Sequence, residues 1–168
     1  MKKVLLVLLV AIAFSSGAYA QRRTVAFLGV GVATNFRSAE EGKTGPALTV
    51  GFRNYNRDAL ISVGVGAEAF GDYIPSKTKS VFGAFAIPEV GLGIGPGFFK
   101  VYPHTGIMIG YDSSITHDDS EKTGGFGWGG KDGIAFEFGR HVTIDFSAYV
   151  PRYRFREALY AFNFIWRF

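Results

Sequence analysis

A chain of 168 residues without a cysteine holds no disulfide, no thiolate metal site and no cysteine nucleophile, and its length suits one domain. Its formal charge of +4 comes from Lys and Arg residues dispersed along the chain, so the sequence offers no basic patch for a nucleic-acid partner. Seventeen Phe, eight Tyr and 23 Gly against only six Pro point to β structure in which bulky and tiny residues sit side by side.

The chain opens with Lys2 and Lys3, an apolar run from Val4 to Phe14, then Ser15, Ser16, Gly17 and Ala18-Tyr19-Ala20. A basic start, a short apolar stretch and an A-x-A site read as a secretory signal peptide, and the run is too short to cross a bilayer as a helix. Cleavage is expected between Ala20 and Gln21, with Ala18 and Ala20 as the small residues of the site. Residues 1–20 are then a cleaved leader and residues 21–168 one mature domain. Losing Lys2 and Lys3 leaves 16 basic and 14 acidic residues, so the mature charge is +2. No cysteine lies near the site to take a lipid anchor.

In the mature chain the period is two. Val25 to Thr34 sets Ala26, Leu28, Val30 and Val32 against Phe27, Gly29, Gly31 and Ala33. Side chains of a strand alternate between faces, so each such segment is two-faced. A polar loop over 35–44 leads to a second strand, Pro46, Leu48, Val50 and Phe52 against Ala47, Thr49, Gly51 and Arg53. A turn rich in Asn and Asp over 54–58 follows. The third strand sets Ala59, Ile61, Val63, Val65 and Ala67 against Leu60, Ser62, Gly64, Gly66 and Glu68, and a longer loop is expected through Gly71, Asp72, Pro75 and Lys79. Strand four, Val81 to Leu92, is apolar on both faces and interrupted by Pro88; Glu89 assigns its odd positions to the inside. Gly95-Pro96-Gly97 makes a tight turn. Strand five sets Phe99, Val101, Thr105, Ile107 and Ile109 against Tyr102, His104, Gly106, Met108 and Gly110. The longest loop is expected from Asp112 to Gly130. Ile134, Phe136 and Phe138 mark strand six, Gly139-Arg140 a turn, and Val142, Ile144, Phe146, Ala148 and Val150 strand seven. Pro151 to Arg156 forms the last loop.

The closing segment carries the clearest pattern. Tyr160, Phe162, Phe164, Trp166 and Phe168 share one face, and the chain ends on Phe168. This ending resembles the closing strand of bacterial outer-membrane β-barrels, whose assembly machinery reads a C-terminal aromatic preceded by alternating apolar residues. Eight strands of about ten residues match what a tilted strand needs to cross hydrocarbon. The expected connections alternate long and short, as in barrels with both termini in the periplasm. The fold class is an all-β, eight-stranded antiparallel up-and-down transmembrane barrel of the small OmpA/OmpX type, without the peptidoglycan-binding domain of the larger members. That resemblance implies contact with outer-membrane lipid, lipopolysaccharide and the assembly machinery.

Alternation alone does not separate this barrel from a soluble one that is apolar inside. The polar face decides it. Arg53, Glu68, Glu89, Glu137, Asp145 and Arg167 alternate with Gly64, Gly66, Gly106, Gly110 and Gly133, and glycines make room for long charged side chains in a narrow lumen. An outward Arg or Lys at mid-depth costs about 2–4 kcal/mol, so charges go in and aromatics go out. The six charged residues are expected to form a lumen charge network, in which Arg53, Glu68, Glu137, Asp145 and Arg167 make an ion-paired plug.

Other constellations are weaker. His104, His117 and His141 share no metal-ligand spacing, the acidic stretch 117–121 reads as a solvated loop, and the glycines of 91–97 belong to a strand end and turn with no helix after them. No cofactor, metal or catalytic residue is assigned. Ser113, Ser114 and His117 lie close together but form no motif of the lipid A-modifying barrels. The cations and aromatics of 151–156 read as a girdle able to meet lipopolysaccharide phosphates. The role expected is structural or surface-interacting through extracellular loops; an envelope-machine component resembling conjugative-transfer (TraO-like) barrels, or a lipid A-modifying enzyme, are the alternatives.

Overall fold

Two-faced strands bury one face by closing on themselves, and this chain does so. A computed structural model describes residues 23–35, 43–75, 79–116, 122–151 and 158–168. Eight strands, β1 (Arg23–Asn35), β2 (Lys43–Tyr55), β3 (Ile61–Ile74), β4 (Lys79–Ile94), β5 (Phe99–Thr116), β6 (Lys122–Phe138), β7 (Val142–Pro151) and β8 (Leu159–Arg167), form a closed antiparallel barrel in sequence order. The residues of the expected cleavage site, Ala18, Ala20 and Gln21, lie outside the described residues.

Closure runs through β1 and β8, with Phe27 opposite Arg167 and Asn35 opposite Leu159. The last residue takes part: the Phe168 amide donates to the Ala26 carbonyl at 2.9 Å. One hydrogen-bonded row crosses every strand in turn, through Val25, Arg53, Gly66, Glu89, Gly106, Lys131, Tyr149 and Leu159, and returns to β1 at Asn35. The row has climbed from 25 to 35, a stagger of ten residues. With eight strands, such a stagger tilts them by roughly 40° and leaves a lumen only wide enough for side chains.

The rim holding the chain ends of β1 and β8 and the turns 56–60, 95–98 and 139–141 is called here the terminal rim; the opposite one is the loop rim. Left-handed glycines shape two of the turns, Gly95 with φ 122° and Gly139 with φ 51°. At Gly95 a Cβ would also fall 2.6 Å from the Phe99 carbonyl oxygen.

Two loops expected from composition are strand instead. β3 continues through Gly71 and Asp72 to Ile74, and β5 and β6 continue to Thr116 and from Lys122, so Asp112 pairs with Gly125 and Gly110 with Gly127. The connections are therefore seven, five, four, four, five, three and seven residues long, counted between strand ends, and the expected alternation of long and short does not hold. The physical reason is that the glycines at 124, 125, 127, 129 and 130 alternate with Phe126 and Trp128 along a ladder whose partner strand supplies the hydrogen bonds. Pro88 is accommodated on the outer face; the β4–β5 ladder has gaps at Ile87/Pro88 and at Leu92/Gly93, where Pro88 and Pro103 have no N–H to offer.

The polarity is inside out. The outer wall carries Leu28, Val30, Val50, Phe52, Ile107 and Phe146, each exposed. The closing aromatics Tyr160, Phe162, Phe164 and Trp166 are 42–47% exposed, and Phe168 is 72% exposed. Edge-to-face contacts tie Phe146 to Phe136 and Phe162 along this wall.

Candidate functional site

The lumen is divided into two storeys. In the half towards the loop rim, Ala33, Ala47, Phe70, Ile74, Ile87, Met108, Tyr149, Leu159 and Ala161 form an apolar cluster. In β2, β3, β4, β5, β7 and β8 the charged or polar lumen residue, Arg53, Glu68, Glu89, His104, Asp145 or Arg167, lies nearer the terminal rim than that strand's share of the cluster. Phe70 and Tyr149 stack at 3.9 Å between centroids, and Tyr149 links the storeys by donating its hydroxyl to Glu68 Oε1 at 3.0 Å.

Arg53 is the hub of the charged storey. Its Nε lies 2.6 Å from Glu89 Oε1, Nη2 3.5 Å from Asp145 Oδ2 and Nη1 3.9 Å from Glu137 Oε1. The guanidinium also lies 4.8 Å from the ring centre of Tyr102 and 5.1 Å from that of Phe27, a favourable place for a cation. Lys131, wholly enclosed, bridges Glu68 Oε2 at 2.7 Å and Glu89 Oε2 at 3.2 Å. His104 Nε2 contacts Asp145 Oδ2 at 2.9 Å, with Nδ1 3.6 Å from Glu89 Oε2. The other Asp145 oxygen accepts from the Ser147 hydroxyl. Arg167 Nη1 sits 2.6 Å from Glu137 Oε2 and donates to Tyr55 Oη at 3.1 Å, while Nη2 donates to the Gly139 and Val142 carbonyls. At the terminal rim Lys100 donates to the Ala59 and Gly95 carbonyls.

All six charged residues singled out from the sequence, Arg53, Glu68, Glu89, Glu137, Asp145 and Arg167, are therefore buried in one connected cluster. Sequence reasoning missed Lys131 as a member and gave His104 no partner. Continuing the odd-numbered inner face back from Glu137 through Ala135 and Gly133 reaches Lys131. What hid it was Asp132, which interrupts the outer apolar run and makes the stretch resemble a loop. The cluster thus sets Arg53, Lys131 and Arg167 against four carboxylates, with the His104 ring between Asp145 and Glu89.

Small residues create the space. A Cβ at Gly91 would fall 2.5 Å from Tyr102 Cε1, and one at Gly133 would fall 2.5 Å from both His104 Cε1 and Ser147 Oγ. In the closed row, Gly66 separates Arg53 from Glu89 and Gly106 separates Glu89 from Lys131. The large side chains thus reach across glycine positions to meet each other.

The remaining candidates do not converge. His141 stacks on Trp166 at 5.3 Å, and its Nδ1 is 3.0 Å from the Arg167 carbonyl oxygen, far from the lumen set around His104. Ser113 is half-buried; the side chain of Ser114, and residues 117–121 and 152–157, lie outside the described residues. Among the described residues no three His, Asp or Glu side chains are grouped to hold a metal ion. The cluster around Arg53 and Lys131 is suited to filling and rigidifying a lumen: each of its ionised groups is enclosed and met by an opposite charge or a donor, so the low local dielectric strengthens the pairing; Asp72, buried between Phe70 and Ile74 on the inner face of β3, lies outside it.

No protein-family profile matches the chain, and no curated protein does. Solved structures do. The outer membrane enzyme PagL matches over 85% of this chain and 97% of its own, at 9% identity and a TM-score of 0.52. Ail, the attachment invasion locus protein of Yersinia pestis, covers 86% of this chain and 98% of its own, at 13% identity and 0.49. Neisserial surface protein A covers 87% and 97%, at 11% identity and 0.48. At such identities the likeness concerns the backbone alone, and with the closed antiparallel topology it makes the fold that of the small eight-stranded outer-membrane β-barrels.

Proposed function

We propose that this protein is an integral outer-membrane barrel with a side-chain-filled, non-conducting lumen, acting as a structural or surface-interacting element through the connections at its loop rim. One observation carries the reading: an outer wall of exposed Leu, Val, Ile and Phe encloses a lumen of paired charges, the polarity a hydrocarbon solvent selects. Export on a leader cut after Ala20 places the chain beyond the inner membrane. Both termini then face the periplasm and the loop rim faces outside. Lipid and lipopolysaccharide are the partners of the outer wall, and the assembly machinery reads Tyr160, Phe162, Phe164, Trp166 and Phe168.

The folded barrel is expected to migrate compactly in SDS until boiled, because a closed ladder leaves no strand edge to open. In planar bilayers it is expected to stay silent. A large, stable, ohmic conductance would make it a pore, and identical mobility before and after heating would remove the membrane barrel. A lipid A-modifying activity is the alternative, and the backbone likeness to an outer membrane enzyme leaves catalysis open; mass spectra of lipid A with and without the protein are expected to be the same, and a mass change in lipid A would assign an enzyme.

A further inference from the structure

Among the described residues of the outer wall between the aromatic rims, one charged side chain breaks the apolar rule. Asp132 points outwards from β6 and is exposed. It lies six positions from the exposed Phe138 towards the terminal rim and six from the exposed Phe126 towards the loop rim, since 138 − 132 and 132 − 126 are equal. At roughly 3.3 Å per residue and a tilt of about 40°, each half is about 15 Å of depth, which puts the carboxylate near the centre of the apolar band.

No neighbour compensates it. Its cross-strand partners are Thr105 on β5 and Ala148 on β7. Thr105 has its hydroxyl proton on the Lys131 carbonyl, at 3.2 Å, and so has none to offer. The Asp132 carboxylate forms no hydrogen bond or ion pair with any described residue. Among the described outward side chains between the aromatic rims none is cationic. Beside it Ala148 on β7 is small and half-buried.

Resting on the outer-membrane reading above, we infer that the β5–β7 face around Asp132 is a contact within the membrane for a second, different protein, whose transmembrane segment presents a Lys, Arg or His side chain at mid-depth. The argument is charge complementarity. An ionisable group held in hydrocarbon is tolerated where it meets a partner, and this one has none in its own chain. Two copies of this chain meeting here about a two-fold axis would set carboxylate against carboxylate, so a second copy is not the occupant.

The test places a photo-crosslinking benzoylphenylalanine at Ile134, beside Asp132, and as control at Val65 on the opposite wall, in the full chain expressed in its native envelope. The expected result is a discrete adduct from position 134 and none from 65. Its cross-linked peptide should map to a transmembrane segment carrying Lys, Arg or His. Asp132→Leu should lower the adduct at least tenfold and Asp132→Glu should keep it within twofold. An adduct of twice the protomer mass, a peptide without a cation, an undiminished adduct in Asp132→Leu, or no adduct at all overturns the inference. Each sample is also run unheated and heated: a preserved heat shift with no adduct defeats this contact alone, whereas a lost shift in the unsubstituted protein defeats the membrane barrel and this contact with it.

Discussion

Asp145 and Asp132 are the same residue on adjacent strands, and they face opposite solvents. Asp145 points into the lumen, where Arg53, His104 and Ser147 all reach its carboxylate. Asp132 points out of the barrel, where no described side chain answers it. The difference shows what a narrow barrel does with charge. Inside, closure brings residues far apart in sequence, such as Arg53 and Asp145, within reach, so desolvation is offset by pairing. Outside, the wall is convex and diverging, and neighbours on adjacent strands are the only ones available. A charge there can be met only from an adjacent strand or by another molecule.

The strongest way to break this comparison is to make the same substitution at both sites. Asp145→Leu leaves Arg53 and His104 short of a carboxylate in an enclosed space and is expected to cost about 3–5 kcal/mol. Denaturant unfolding of the refolded barrel in detergent measures it, and Arg53→Met combined with Asp145→Leu should cost less than the sum of the two singles. A change under about 1 kcal/mol would mean that the lumen charges are individually dispensable.

The space that allows the pairing can be filled instead. Gly133→Val drives a side chain into His104 and Ser147 without touching a charge, and overpacking of this kind costs about 1–3 kcal/mol. The same substitution at Gly71, where a Cβ meets only the Gly83 carbonyl oxygen at 3.6 Å, is expected to be much milder. Equal losses at the two glycines would refute the account of why glycines line the lumen.

At the outer site the sign reverses. Asp132→Leu is expected to stabilise the isolated barrel by about 1–2 kcal/mol, because a lipid-facing acid at mid-depth costs less than Arg or Lys but still costs. Destabilisation in the same unfolding experiment would show that Asp132 is engaged within its own chain.

The smallest effect on stability is expected at the Phe168 side chain, which is largely exposed; Phe168→Ala, which keeps the amide's bond to the Ala26 carbonyl, should change unfolding by no more than about 0.5 kcal/mol. Leu159→Ala empties part of the apolar storey and should cost more. In cells the order inverts: loss of Phe168 should reduce the amount of assembled protein far more than Leu159→Ala, if the terminal aromatic is the assembly signal. Equal outer-membrane levels would dissociate that ending from assembly.

Strand number, order and facing were legible in the residues because a period of two is local: each side chain's face follows from its neighbour's. Arg53, Glu68, Glu89, Glu137, Asp145 and Arg167 could be placed inside for that reason. The extent of β5 and β6 was not legible, because Gly124 to Gly130 has loop composition and becomes strand only when the facing ladder pairs it. Asp132 compounded the error, since an outward acid ends an apolar stripe on paper without ending a strand. The partners of each lumen charge were beyond local pattern altogether. They depend on the ten-residue stagger of the closed row, which sets which residues meet across the lumen; Lys131 reaches Glu68, 63 positions away, only through it. Sequence by itself determined which side chains share a face, because alternation is a property of one strand. Tertiary structure decided which charges pair across the lumen, because that pairing is a property of closure.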